Sequence, residues 1–170
     1  MTLVLNGTTG VSAVDGSAAT PAIQGNDSNT GIFFPAADTI AFSEGGVEVG
    51  RFDSSANFQF NSGYGSVATA YAARAWVNFN GTGTVAIRAS GNVSSITDNG
   101  TGNYTVNFTT AMPDTNYSVS GSGDLKTGSY RSMMQTINAG FSTSSIRVNF
   151  NNDGNGAEVD TERACVAVFR

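Results

Sequence analysis

The sequence predicts an all-β, self-associating chain, a short intertwined β shaft followed by an antiparallel β-sandwich, and three observations carry the β reading. Apolar residues alternate with polar ones almost throughout, and almost no stretch holds a helical period. Clusters of Gly, Asn, Asp and Ser interrupt the alternation at short intervals, as turns between neighbouring antiparallel strands do. The composition is polar without being charged: Ser, Thr and Asn make up 55 of 170 residues and Gly another 21, while 12% are charged. With 11 Phe, 5 Tyr and 1 Trp, the chain carries more aromatic residues than a disordered one would.

Taken in order, residues 1–30 read as an extended N-terminal anchor. Leu3, Val4 and Leu5 form a short apolar segment bracketed by Gly-, Ser- and Ala-rich sequence, so contacts mainly outside the subunit are expected of it. Residues 31–64 read as a short β meander, with strands at 31–34, 39–42, 47–52 and 57–60 and turns at 35–38, 43–46 and 53–56. Its large apolar residues have no second sheet or helix to cover them. A copy of the same meander is the economical cover, with Ile32, Phe34, Ile40, Phe42, Phe58 and Phe60 as the expected contacts.

Residues 65–75 read as a neck. A short helix over 66–75 is expected, with Ser66 as N-cap and Val67, Ala70, Tyr71 and Arg74 at i, i+3, i+4 and i+7; an irregular loop is the alternative. Residues 76–170 read as a C-terminal β-sandwich of about seven strands. The expected inward positions are Val77/Phe79, Val85/Ile87/Ala89, Tyr104/Val106/Phe108, Tyr117/Val119, Met133 to Ile137, Ile146/Val148/Phe150 and Val166/Val168. The last strand runs to Arg170, so its removal is expected to expose the core.

Chemistry is narrowed by what is missing. Without His there is no Ser-His-Asp triad, Cys-His pair or imidazole ligand, and the single Cys165 allows no disulfide within the chain. Eight basic against 13 acidic residues give a net charge of -5, which argues against nucleic-acid backbones and anionic membrane surfaces as partners. No signal-peptide pattern and no apolar run of membrane-spanning length is present, so synthesis in a cytoplasm is expected.

A glycosidase-like pair would have to come from Asp98, Asp114, Asp124, Asp153, Asp160 and Glu162, most of which stand in turn-like contexts. No enzyme activity is therefore expected. The loop at 151–156, with Glu158 and Asp160 beyond it, offers oxygen ligands of the Ca²⁺ type, but an Asn/Gly-rich hairpin turn explains the same residues and no cofactor is expected. Sugar recognition pairs aromatic faces with planar amides and carboxylates. Tyr130 is the expected surface aromatic, near Asp124, Asn103, Asn152 and Asp153, whereas Tyr104 and Tyr117 fit the core alternation.

The stretch Pro21-Ala22-Ile23-Gln24-Gly25-Asn26-Asp27-Ser28-Asn29-Thr30-Gly31-Ile32-Phe33-Phe34-Pro35-Ala36-Ala37-Asp38-Thr39-Ile40-Ala41-Phe42, with Glu44-Gly45-Gly46 and Arg51-Phe52-Asp53-Ser54-Ser55, resembles a module of tail-fibre-like proteins of tailed bacteriophages of marine and freshwater bacteria, including the cyanophage type. The second half, from Ala75-Trp76-Val77-Asn78-Phe79 through Asn103-Tyr104-Thr105-Val106-Asn107-Phe108 to Cys165-Val166-Ala167-Val168-Phe169-Arg170, resembles a C-terminal domain of such fibres. The resemblance implies a homotrimer in the virion tail: an N-terminus docked to a tail or baseplate protein, and a C-terminal domain facing a glycan or protein of the host surface. A purely structural adaptor or head decoration is the alternative, and a polysaccharide depolymerase is a more remote one.

Overall fold

The computed structural model describes residues 4–6, 10–12, 14–63, 66–124 and 132–170. It is all-β, with antiparallel pairing throughout and no helix among the described residues. The chain divides into two compact units, Met1–Ala70 and Tyr71–Arg170.

In the first unit, β1 (Val4–Asn6) and β2 (Gly10–Ser12) pair with each other, while six strands form a meander in chain order: β3 (Ile23–Gln24), β4 (Gly31–Phe33), β5 (Ile40–Glu44), β6 (Val47–Phe52), β7 (Phe58–Phe60) and β8 (Ala68–Thr69). Register assigns the apolar residues to faces. Ile23, Ile32, Phe42, Gly50, Phe60 and Ala68 stand in one cross-strand row and Ile40, Phe52 and Phe58 in the next. These rows share one face of the pleat. On it, Ile23, Ile40, Phe52, Phe58 and Phe60 are each 42% to 50% exposed. Phe52 and Phe58 rings lie 5.3 Å apart and Phe58 and Phe60 stack at 6.4 Å, so the exposed residues form a continuous strip.

The other face is covered. Phe33, Ala41 and Ser43 are buried, and Pro21 packs against Gly31, where there is no room for a Cβ. Residues of the expected anchor therefore belong to this unit. Phe34 N–H donates to Asp15 O at 2.8 Å, Gly46 N–H to Asn29 O at 2.8 Å, and β3 pairs with β4. The expectation of contacts mainly outside the subunit is corrected for residues 15–30: the meander's unpaired edge and Phe33 face supply nearer partners. Leu3 lies outside the described residues; Val4 and Leu5 lie in β1.

The expected helix over 66–75 is absent. Ala68 pairs with Phe60 and Thr69 with Gln59, and the next strand starts at Ala73. The open edge of β7 offers backbone partners at once, whereas a ten-residue helix must first nucleate.

The second unit contains β9 (Ala73–Asn80), β10 (Ala86–Gly91), β11 (Val93–Asp98), β12 (Asn103–Phe108), β13 (Ser118–Asp124), β14 (Ser132–Phe141), β15 (Ser145–Asn152) and β16 (Arg163–Phe169). Their spatial order is β10-β9-β16-β13-β14-β15-β12-β11, one continuous eight-stranded sheet. Among the described residues, Gly123 pairs with Ser132 to join β13 to β14. The sheet folds over on itself, because Phe79 of β9 meets Tyr104 of β12 edge-on at 5.1 Å although four strands intervene in the order. Phe79, Tyr104, Val106, Ile146, Val148, Phe150, Val166 and Val168 fill the space between.

Eight strands replace the expected seven. The missed one, β11, carries a bulge between Val93 and Ser95 that spaces Val93 and Ile96 three apart and hides the alternation. Conversely Ile87 and Ala89 of β10 are exposed, not inward; a bulge lies between them, and β10 is an edge strand in the sheet order.

Candidate functional site

Antiparallel order sorts the loops of the second unit between two ends. Residues 81–85, 99–102 and 153–162 connect strands at one end, where β13 also ends and β14 begins, while the chain comes in at the other, where Ala73 pairs with Phe169. The loop end is held from within by one side chain. The Tyr104 hydroxyl, fully buried, lies 2.7 Å from Gly81 O and 3.0 Å from Asp160 Oδ1, and Gly102 N–H donates to the same carboxylate oxygen at 2.8 Å. Three loops are thus bolted to one phenol. Gly81 and Gly102 are required for this: a Cβ on Gly81 would stand 2.6 Å from the Tyr104 hydroxyl, and Gly102 has φ +67° with Phe150 O 2.6 Å from its Cβ position.

Burial, then the Asp160 hydrogen bond, pushes the Tyr104 phenol well above the ordinary tyrosine range. A folded-state value above the unfolded one means that this contribution to stability is complete below about pH 10 and is lost as pH rises through the folded value. Melting temperature is therefore expected to fall above about pH 10. Tyr104→Phe should flatten that dependence and cost about 1–3 kcal/mol at neutral pH by leaving buried acceptors unpaired. A variant that melts like the parent at both pH values would contradict the bolt.

Short polar side chains shape the loops themselves. Asn80 Nδ2 donates to Thr82 O at 2.7 Å, Asp98 Oδ1 accepts from Gly100 N–H at 2.9 Å, and Asn152 Oδ1 accepts from Gly154 N–H at 2.8 Å. The Asn/Gly-rich loop is accordingly a tight turn, with Gly156 at φ +71°. Asp160 Oδ1 serves the bolt.

Four of the five residues expected from the sequence, Asn103, Asp124, Asn152 and Asp153, share this rim. Asp124 ends β13 opposite Arg163, with 3.5 Å between their charged groups; Asn152 ends β15, and exposed Asp153 follows it. Asn103 starts β12 beside Asn149, and its Oδ1 accepts from Arg147 Nε at 2.8 Å. Tyr130 lies outside the described residues. Tyr104 and Tyr117 are buried. Of the six acids considered for catalysis, Asp114 stands at the opposite end, paired with Arg170 at 2.6 Å.

Sequence reasoning missed Arg147 and Asn149 at this rim, and singled out Asn151 and Glu158 only as oxygen ligands of the Ca²⁺ type. Asn149 Nδ2 donates to Glu158 and Asn151 Nδ2 to Gly156 O at 2.9 Å, while the Oδ1 atoms of both asparagines are shielded and have no partner. Their signal was present: residues 147, 149 and 151 alternate with Ile146, Val148 and Phe150 and so must face outward. The rim that results offers amides, carboxylates and the guanidinium groups of Arg147 and Arg163 to a polyhydroxylated ligand. In comparisons with protein-family models, curated proteins and solved structures, the chain matched none.

Proposed function

We propose that this chain is a virion adhesion protein of a tailed bacteriophage, a homotrimeric tail fibre or spike attached to the tail or baseplate through its N-terminal part. Its C-terminal unit meets the host surface. The observation that carries this reading is the segregation of the second unit: among the described residues, the connections at 81–85, 99–102 and 153–162 gather at the end away from the incoming chain. A tethered end opposite a loop-bearing end suits attachment, since loops on a rigid scaffold vary without disturbing the core. The uncovered apolar strip of the first unit gives a reason to self-associate, and the sequence resemblance supplies the number three. A glycan is the favoured ligand because the rim is polar and rich in planar amides. Three copies would multiply a weak single-site affinity.

Full-length protein added to host cells ahead of phage is expected to reduce adsorption. Substituting Asp124, Asp153 and Tyr130 by Ala should weaken that competition without lowering the melting temperature. Folded protein that neither binds cells nor competes would favour the purely structural reading, and release of reducing sugar from host polysaccharide would favour a depolymerase.

A further inference from the structure

We propose that the outer face of β9, β16 and β13 holds a second saccharide site, built on Trp76 and separate from the loop end. It rests on the adhesion reading only for its class of ligand. Register builds the frame: Trp76 pairs with Ala167 and Ala167 with Ser120, while Asn78 pairs with Cys165 and Cys165 with Ser122. These side chains point outward, because Ala75, Val77, Phe79, Ala164, Val166 and Val168 occupy the inward positions. Two small residues of β16 form a floor. Trp76 and Asn78 form one wall and the two serine hydroxyls the other, about 10 Å apart at two strand spacings. The trough measures about 450 Å³, within the range of small-ligand sites.

Three properties select a neutral sugar. Trp76 is 45% exposed yet seated, since its indole lies against Gly91 of β10, where a Cβ would collide with Nε1. Such a ring presents an apolar surface to the C–H face of a pyranose, beside groups that hydrogen-bond hydroxyls. Asn78 lines the trough, and its Oδ1, covered in the free protein, has no hydrogen-bond partner; turning the amide outward would bring this uncompensated acceptor to a sugar hydroxyl. No Asp, Glu, Lys or Arg is among the described residues that line the trough, so an anionic ligand finds no counter-charge there.

Trp76 is the only tryptophan, so its emission reports this site alone. Full-length protein titrated with glucose, galactose, mannose, N-acetylglucosamine and their short oligomers should give a saturable emission shift with at least one of them. Asn78→Ala should weaken that response about tenfold. Ala167→Leu, which fills the floor from outside the core, should abolish it, and both variants should melt like the parent. Absence of a saturable shift up to about 100 mM of every sugar, in protein that melts normally, would overturn the site. So would an emission change that follows protein concentration without sugar, which assigns the face to another copy, or a response confined to anionic sugars. Variants of Asp124 and Asp153 that lose cell competition while keeping the Trp76 response would separate the loop-end reading from this one.

Discussion

Light scattering on the full chain at micromolar concentration should return three times the mass of one chain, and the pair Phe52→Lys with Phe58→Lys should return a single mass. The expectation follows from register. Ile23, Ile40, Phe52, Phe58 and Phe60 are all drawn onto one face of the meander, and each is close to half exposed. Covering one such ring is worth roughly 1 kcal/mol at about 25 cal/mol per Å². The residues are adjacent, so one docking event covers several at once. Lysine at 52 and 58 puts two charges in the middle of the strip while leaving Phe33 and Ala41 on the covered face untouched. A parent protein that scatters as one chain would refute self-association, and a doubly substituted trimer would move the contact elsewhere.

Deleting residues 163–170 should abolish cooperative unfolding of Tyr71–Arg170. Strand β16 is third in the eight-strand order, paired along its length with β9 on one side and β13 on the other. Its Ala164, Val166 and Val168 are buried. Without it, β10 and β9 have no ladder to the other strands and two unpaired edges are created. Within the intact chain, Val168→Ala should cost about 1–3 kcal/mol through the cavity left behind. Far-UV circular dichroism and thermal melting check both, and a truncated chain with the parent's melting transition would contradict this account of the core.

How far the fold was legible depended on whether the deciding contacts were local. Strands β4 to β7 could be read because turn residues bracket each short apolar run, and β12, β15 and β16 because Tyr104, Ile146 and Val166 open clean alternations. Strand β11 could not, because its bulge breaks the period of two. Residues 66–75 looked helical by spacing, yet β7 offered an edge that no local pattern announces. The covered face of the meander was also hidden, since nothing near Gly31 in sequence names Pro21 as its neighbour. At the loop end the acids and amides were visible as residue types. Their roles were not: Tyr104 and Asp160 meet across 56 residues, which sorts Asp160 to the interior and leaves Asp153 outside.

The two-ended layout also decides how the C-terminal unit bears tension. A pull between Tyr71 and the loop end runs parallel to the strands, while the ladder bonds lie across them. Strand β9, which takes up the pull first, is paired on one side with β10 and on the other with β16. Withdrawing it shears two ladders together instead of peeling one bond after another. Forced unfolding of this unit along that axis is therefore governed by the rate at which both ladders shear, not by its equilibrium stability.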